Sequence, residues 1–396
     1  MQNNQNKFKE TEIGLIPEDW EVDLLGNRAD IIMGQSPEGK YYNSVGDGLL
    51  FMQGVRTFGE KYPTFDTWTT SVTKKAPAKS VLISVRAPVG DINITPDEMC
   101  IGRGLAAINA KNGNNEYVYQ LLEAYRDKIV GQETGTVYGS ISRDDIFRLE
   151  LPFAPDLEQQ KIAEVLGALD DEIELNRKMN KTLESLGQAI FNDYFGHFEQ
   201  SEKSYKTTVG DFAEIIGGTT PKTNTPEYWD GEFDWATPRD MSSLQSPVLL
   251  KTERRITAEG LKAIGSGQLP KGTLLLSSRA PIGYLAFANM PVAINQGFIA
   301  IKSPSNYYLY FWLKQNMDKV IGSANGSTFL EISKSNFRRI ELYIPDNDSL
   351  NKFDQIASQL INKIILNEKE IESLSKIRNS LLPRLMSGKL RVECGK

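Results

Sequence analysis

The chain of 396 residues is poor in the groups that most enzymes use for chemistry. It has one histidine, His197, and two cysteines, Cys100 and Cys394. A single histidine removes the usual general base, the usual zinc ligand and most catalytic triads at one stroke. A structural or solvent-facing role is the plain expectation for it. Two cysteines without metal spacing make no disulfide framework. No G-x-x-x-x-G-K-[ST] loop is present, so no ATP motor of that kind is expected, and no G-x-G-x-x-G opens a helix. The Asn/Asp-Pro-Pro-aromatic run of amino-methyltransferases is missing too, and Gly102-Arg103-Gly104 has two glycines without a phosphate-loop context. No apolar stretch reaches the roughly 18–20 residues that cross a bilayer. The polar start, Met1 to Glu12, lacks the apolar core of a signal peptide. These absences predict a cytoplasmic recogniser with no catalytic residue, metal or cofactor of its own.

What the chain has, it has twice. Val81-Leu82-Ile83-Ser84-Val85-Arg86-Ala87-Pro88-Val89-Gly90 returns as Leu274-Leu275-Leu276-Ser277-Ser278-Arg279-Ala280-Pro281-Ile282-Gly283. The copies stay in step to Ile101-Gly102-Arg103-Gly104-Leu105 and Ile294-Asn295-Gln296-Gly297-Phe298. A repeat of that length means domain duplication rather than a solenoid, and the total length suits two domains plus connectors. Hydrophobic content of 40% and charged content of 24% are those of a globular protein.

The boundaries read as residues 1–152 and 201–345 for two α+β globules, with helical stretches at 153–200 and 346–396. Each globule opens with a short amphipathic piece and a turn, Ile31-Ile32-Met33-Gly34-Gln35-Ser36-Pro37 and Ile215-Ile216-Gly217-Gly218-Thr219-Thr220-Pro221. Short β-rich runs follow, with a helix near residues 117–130 and 307–320. Both copies end in a polar glycine loop, then Ile-Ser and a basic residue, Arg143 or Lys334.

The helical stretches carry apolar residues three and four apart over several heptads, which favours a coiled coil. Asp156 with Gln159 looks like a capping pair at the start of the first. Pro383 should kink or stop the second, and Gly388 looks like its end. Asn176 and Asn367 fall in the apolar stripes at matching places, where a polar residue fixes register, and they are expected to face each other. Asp170-Asp171-Glu172 and Glu368-Lys369-Glu370 read as solvated charge runs. About 35 helical residues at ~1.5 Å each span roughly 52 Å.

Net charge is −6. Residues 1–150 hold 16 basic against 21 acidic side chains and residues 151–204 hold 5 against 11, while residues 205–345 hold 15 against 12. A negative total does not exclude DNA, since the patch that meets the phosphates decides. It does predict weak binding by the chain alone and a basic partner.

Polar and cationic side chains in loops beside strands suit base edges and phosphates. Arginine forks onto guanine O6 and N7, and glutamine or asparagine matches adenine. The base-reading candidates are Gln53, Arg56, Arg86 and Arg103 in the first globule, and Thr237, Arg239, Asp240, Arg279 and Gln296 in the second. Arg103 and Gln296 stand at one place in the repeat, as do Gln53 and Thr237; each pair differs where two readers with different targets would differ, and simple drift between the copies would give such differences too. Arg86 and Arg279 keep their identity, which favours a structural or phosphate role. Thr136, Tyr138, Ser140, Ser327 and Thr328 are phosphate-contact candidates, with Arg143 and Lys334.

The order of these segments resembles the specificity subunit of type I restriction–modification enzymes. The likeness covers almost the whole chain. It rests on Phe8 to Trp20 (Phe8-Lys9-Glu10-Thr11-Glu12-Ile13-Gly14-Leu15-Ile16-Pro17-Glu18-Asp19-Trp20), both Arg-Ala-Pro-x-Gly segments, Glu158-Gln159-Gln160-Lys161-Ile162-Ala163, the paired Leu-Asn seams and Leu381-Leu382-Pro383-Arg384-Leu385-Met386-Ser387-Gly388. The resemblance implies two target recognition domains, each reading half of a split double-stranded DNA site. It also implies an antiparallel coiled coil that spaces them and docks two modification subunits. S-adenosylmethionine would sit on those partners, and ATP and Mg on further motor–nuclease subunits. Leu350-Asn351-Lys352-Phe353 departs from Leu157-Glu158-Gln159-Gln160, which weakens the carry-over of partner contacts there. Two other readings are a methyltransferase with a hidden cofactor site, which needs a motif the chain lacks, and a duplicated scaffold that binds protein rather than DNA.

Overall fold

The computed structural model describes residues 7–131, 139–196, 204–326 and 330–392. The chain divides into two compact units, Met1–Glu174 with Ser373–Lys396, and Leu175–Glu372. Each mixes helices and strands, and each contains stretches of two long helices, Asp156–Phe195 and Asn347–Met386, of 40 residues apiece.

The first unit is built on a four-stranded antiparallel sheet in the order Ile92–Ile94, Val81–Ser84, Leu105–Ala110, Ala29–Met33. Side chains alternate across a strand, and here both faces are covered. Val81, Ile83, Ala106 and Ile108 join the larger core with the helix Asn115–Ala124, while Leu82, Leu105 and Ala107 join a second core. That second core is closed by a mixed sheet in which Leu49–Met52 runs parallel to Met99–Ile101.

The second unit repeats the plan. Ile282–Ala288, Leu274–Ser278, Phe298–Lys302 and Glu214–Gly217 lie in the same order, with Val248–Leu249 added at one edge. Leu274, Leu276, Ile299 and Ile301 face one core; Leu275, Phe298 and Ala300 face the other. Trp229–Ala236 runs parallel to Ala293–Ile294, as its counterpart does. The helix expected near residues 117–130 is two, Asn115–Ala124 and Arg126–Val130, and its repeat is Asn306–Gln315 and Met317–Gly322.

Within each unit the long helices pack antiparallel. In the first, Arg378 Nη1 donates to Asp170 Oδ1 at 3.0 Å. In the second, Phe191 stacks edge-on to Phe353, and Asn367 Nδ2 donates to Asn180 Oδ1 at 2.8 Å. The polar partner of Asn367 is therefore Asn180, and the Asn176–Asn367 pairing expected from the repeat is not formed; the Asn176 amide is buried. Pro383 does not stop the second helix, which runs to Met386 before Gly388 turns with φ +67°.

Asp156 and Gln159 make no capping pair. Asn112 Nδ2 bridges Asp156 Oδ1 and Gln159 Oε1, and Gln159 Nε2 donates to the Ala154 carbonyl at 2.7 Å. Nor is Asp170 solvated: it is 2% exposed and also accepts from Gln120 Nε2 at 2.6 Å. Lys61, buried beside it, lies 3.1 Å from Glu116 and 3.2 Å from Asp171. Burial pulls the Lys61 ammonium down, but the charges of Glu116, Tyr62, Asp170 and Asp171 outweigh it and hold its pKa above the ordinary lysine value.

Several residues that carry the family likeness have a packing reason. Trp20 Nε1 donates to Glu158 Oε2 at 2.9 Å, and Arg391 bonds both Glu158 oxygens and Asp19. The Asp19 carboxyl is held below its usual range first by its Arg391 hydrogen bonds, against desolvation. A Cβ on Gly388 would lie 2.2 Å from the Pro17 ring, so only glycine fits there.

Candidate nucleic-acid interface

The Ser-x-Arg-Ala-Pro segments form matching hairpin turns. Buried Ser84 donates from Oγ to the Pro88 carbonyl at 2.7 Å and accepts from the Asp91 amide at 2.8 Å. Ser277 does the same with Pro281 and Tyr284, at 2.8 Å each. Ala–Pro is cis in both. Arg86 bridges by its backbone to Ser140, and Arg279 to Glu331. The serine, which sequence reasoning passed over, is thus the internal brace of the motif. Arg86 is exposed; Arg279 is half-buried, with Nη1 3.7 Å from Glu331.

Next to each hairpin two parallel strands end side by side. In the first unit Ile101 pairs with Met52, and the chain then turns through Gly102-Arg103-Gly104 beside Gln53. In the second Ile294 pairs with Ala236, and the turn Asn295-Gln296-Gly297 lies beside Thr237. The backbone ties correspond one by one. Gly102 N–H donates to Met52 O at 2.8 Å and Asn295 N–H to Ala236 O at 3.0 Å; Val85 N–H donates to Gly104 O at 2.9 Å and Ser278 N–H to Gly297 O at 2.8 Å. Glycine is required by close approach here: a Cβ on Gly104 would sit 2.5 Å from Gln53 O, and one on Gly297 2.9 Å from Pro238 Cγ. The glycines around Arg103 serve packing.

Gln53, Arg103 and Gln296 are exposed, and among the described residues their side chains have no hydrogen-bond or ion-pair partner. They are available to a ligand. Thr237 is engaged, since its amide and hydroxyl both donate to Asp240 Oδ2 at 2.7 Å. Asp240 Oδ1 also accepts from the Glu253 amide at 2.7 Å, so this carboxylate caps the helix Pro238–Ser242. Arg239 lies 3.4 Å from Glu253. Arg56 pairs with Asp66 at 2.7 Å, and that guanidinium holds the Asp66 carboxyl below its usual range.

The loops that end each globule repeat as well. Ile141 and Ile332 are buried, and the serine after each caps a short helix: Ser142 Oγ accepts from the Asp145 amide, Ser333 Oγ from the Asn336 amide. Arg143 and Lys334 follow at the first helical position, exposed. The Ser142-x-x-Asp145 box was legible as a cap and was missed. Ser140 is exposed. Thr136, Tyr138, Ser327 and Thr328 lie outside the described residues, as does His197.

Among the described residues no helix is long and apolar enough to cross a membrane. Residues 17–185 and 202–376 each match the family described as the type I restriction modification DNA specificity domain. The chain is 25% identical over 427 aligned positions, covering 98% of both proteins, to the MjaIX type I restriction enzyme specificity subunit of Methanocaldococcus jannaschii. It is 44% identical over 189 residues to a candidate MjaX specificity subunit of the same organism, across 47% of this chain and 44% of that protein. The crystal structure of a type I restriction–modification S subunit from M. genitalium shares the fold, with a TM-score of 0.63 at 18% identity over 97% of this chain and 98% of that one. Two copies of the specificity domain, on a fold of two mixed units and two long helices, place the chain in the family of type I restriction–modification specificity subunits, the recognition components rather than the catalytic ones.

Proposed function

We propose that the chain reads a bipartite double-stranded DNA target, one half with each unit. The observation that carries this is the duplicated turn: one backbone frame with equivalent ties presents Arg103 and Gln53 in one unit, and Gln296 in the other. Equal frames with unlike free side chains suit two different half-sites. The arginine fork matches guanine and the glutamine amides match adenine. In this reading Arg86, Arg279, Ser140, Arg143 and Lys334 contact phosphates and set orientation. Arg56, Thr237, Arg239 and Asp240, being engaged with neighbours, shape the surface.

The long helices space the readers and dock two modification subunits. Those subunits bring S-adenosylmethionine and methylate adenine, and motor–nuclease subunits with ATP and Mg act on the same complex. With a net charge of −6, the chain relies on basic surface of these partners to grip the duplex. DNA as target puts the work in the cytoplasm. Co-expression with the modification subunit, followed by mapping of N6-methyladenine across the genome, tests the proposal. One split motif with a fixed gap is expected. A continuous motif, or a stable complex that leaves DNA unmodified, would overturn it.

A further inference from the structure

We propose that Ser36 in the first unit and Asn295 in the second are positioning residues that fix the base-reading turn, by different means in the two copies. The inference rests on the reading of Arg103 and Gln296 as base-contacting side chains. In the first unit Ser36 Oγ accepts the Arg103 backbone N–H at 3.2 Å. The flanking amides are tied to the same turn, Gln35 to Ile101 O and Gly34 to Leu105 O, at 2.9 Å each. The fit leaves no spare room: a Cβ on Gly34 would lie 2.1 Å from Gly102 O, and one on Gly102 2.9 Å from Ser36 Oγ. The Arg103 side chain has no tie of its own among the described residues, so its direction follows from its backbone, and Ser36 anchors that backbone from across the turn.

In the second unit Thr220 stands at the place of Ser36, and among the described residues its buried Oγ1 has no hydrogen-bond partner. The anchor comes from inside the turn instead: Asn295 Oδ1 accepts the Gly297 N–H at 2.6 Å. Asn295 occupies the place of Gly102. Glycine has no side chain with which to hold its own turn, so the first unit needs a hydroxyl from the neighbouring strand end. Asparagine holds the turn itself and leaves the threonine idle. A reader on a loosened turn still reaches DNA but samples wrong bases, so losing the anchor lowers discrimination more than affinity.

The test uses the chain assembled with its modification subunits and duplexes changed one base pair at a time in either half-site. Arg103→Ala should lose about tenfold or more of methylation discrimination at one position. Ser36→Ala should lose about threefold to tenfold at that same position. It should leave the other half-site, binding to unrelated DNA and the melting temperature unchanged. Ser36→Thr, which installs the side chain of the second copy, should retain discrimination. Asn295→Ala should act on the other half-site alone. If Arg103→Ala relaxes its position and Ser36→Ala does not, the positioning role fails while the base-reading account stands. If Ser36→Ala slows all duplexes alike and lowers the melting temperature, Ser36 is only structural. If Arg103→Ala weakens all sequences equally, the base-reading account falls and this inference with it.

Discussion

Replacing Asp170 by alanine removes the hub of a buried charge network in the first unit. Asp170 is 2% exposed and accepts from Arg378 at 3.0 Å and from Gln120 at 2.6 Å, with the Lys61 ammonium 3.9 Å away. Removing one partner of a buried ion pair costs about 3–5 kcal/mol, because the remaining charge is left in a poor solvent. Here the survivors keep other acceptors: Arg378 keeps Glu60 at 2.8 Å, and Lys61 keeps Glu116 and Asp171. That puts Asp170→Ala near the lower end, about 3 kcal/mol. Urea unfolding at pH 7 should show a lower midpoint with an unchanged slope. Hydrogen exchange should place the lost protection in the first unit, around Asn115–Ala124 and the stretches that flank Asp170 and Arg378. Lys251→Ala, which breaks an exposed pair with Glu372, is the comparison and should cost less than about 1 kcal/mol. A loss below about 1 kcal/mol for Asp170→Ala as well would show the network to be no stronger than a surface pair, against this expectation.

Two further outcomes are expected. Burial pushes the Glu123 carboxyl up to about 7 from 4.5, against the pull of Arg378 and with a smaller push from Asp170. The folded protein therefore holds a proton that the unfolded chain releases between those values, and the stabilising contribution is complete below pH 4.5 and lost as pH rises to about 7. Glu123→Gln should remove that slope, a relative gain of up to about 3 kcal/mol at pH 8 over pH 4.5; equal pH slopes for the two proteins would count against it. Gly187→Ala places a Cβ 2.4 Å from Phe311 Cζ inside an aromatic cluster with Phe191 and Phe353. The gain in helix propensity is smaller than the overpacking, so a net loss of about 1–2 kcal/mol is expected in thermal unfolding, and a stabilised variant would contradict it.

The duplication and both long helices were legible because they are written in local spacing. Val81-Leu82-Ile83 and Leu274-Leu275-Leu276 are apolar at successive positions, which suits strands covered on both faces. What the sequence hides is pairing across distance. Asp170-Asp171-Glu172 looks like one exposed run, but the helix turns Asp170 inward to Arg378 while Asp171 and Glu172 stay exposed. Repeat equivalence matches Asn176 with Asn367, yet antiparallel helices advance in opposite directions, and the bond falls on Asn180, one turn along. At the interface, the pairs Gln53/Thr237 and Arg103/Gln296 do occupy equivalent places. That Thr237 is engaged was legible and passed over, because Thr237-Pro238-Arg239-Asp240 has the same capping-box spacing as Ser142-x-x-Asp145.

Reading of each half-site by its own unit, through its own turn, is what the whole proposal stands on. It is tested most directly by mapping N6-methyladenine in cells that carry the wild-type chain, Arg103→Ala or Gln296→Ala with the modification subunit. Arg103→Ala should relax one half of the split motif and Gln296→Ala the other, each leaving the opposite half and the gap intact. Uniform loss of methylation across all sites, with the motif unchanged in both variants, would contradict it and assign these side chains to the phosphates.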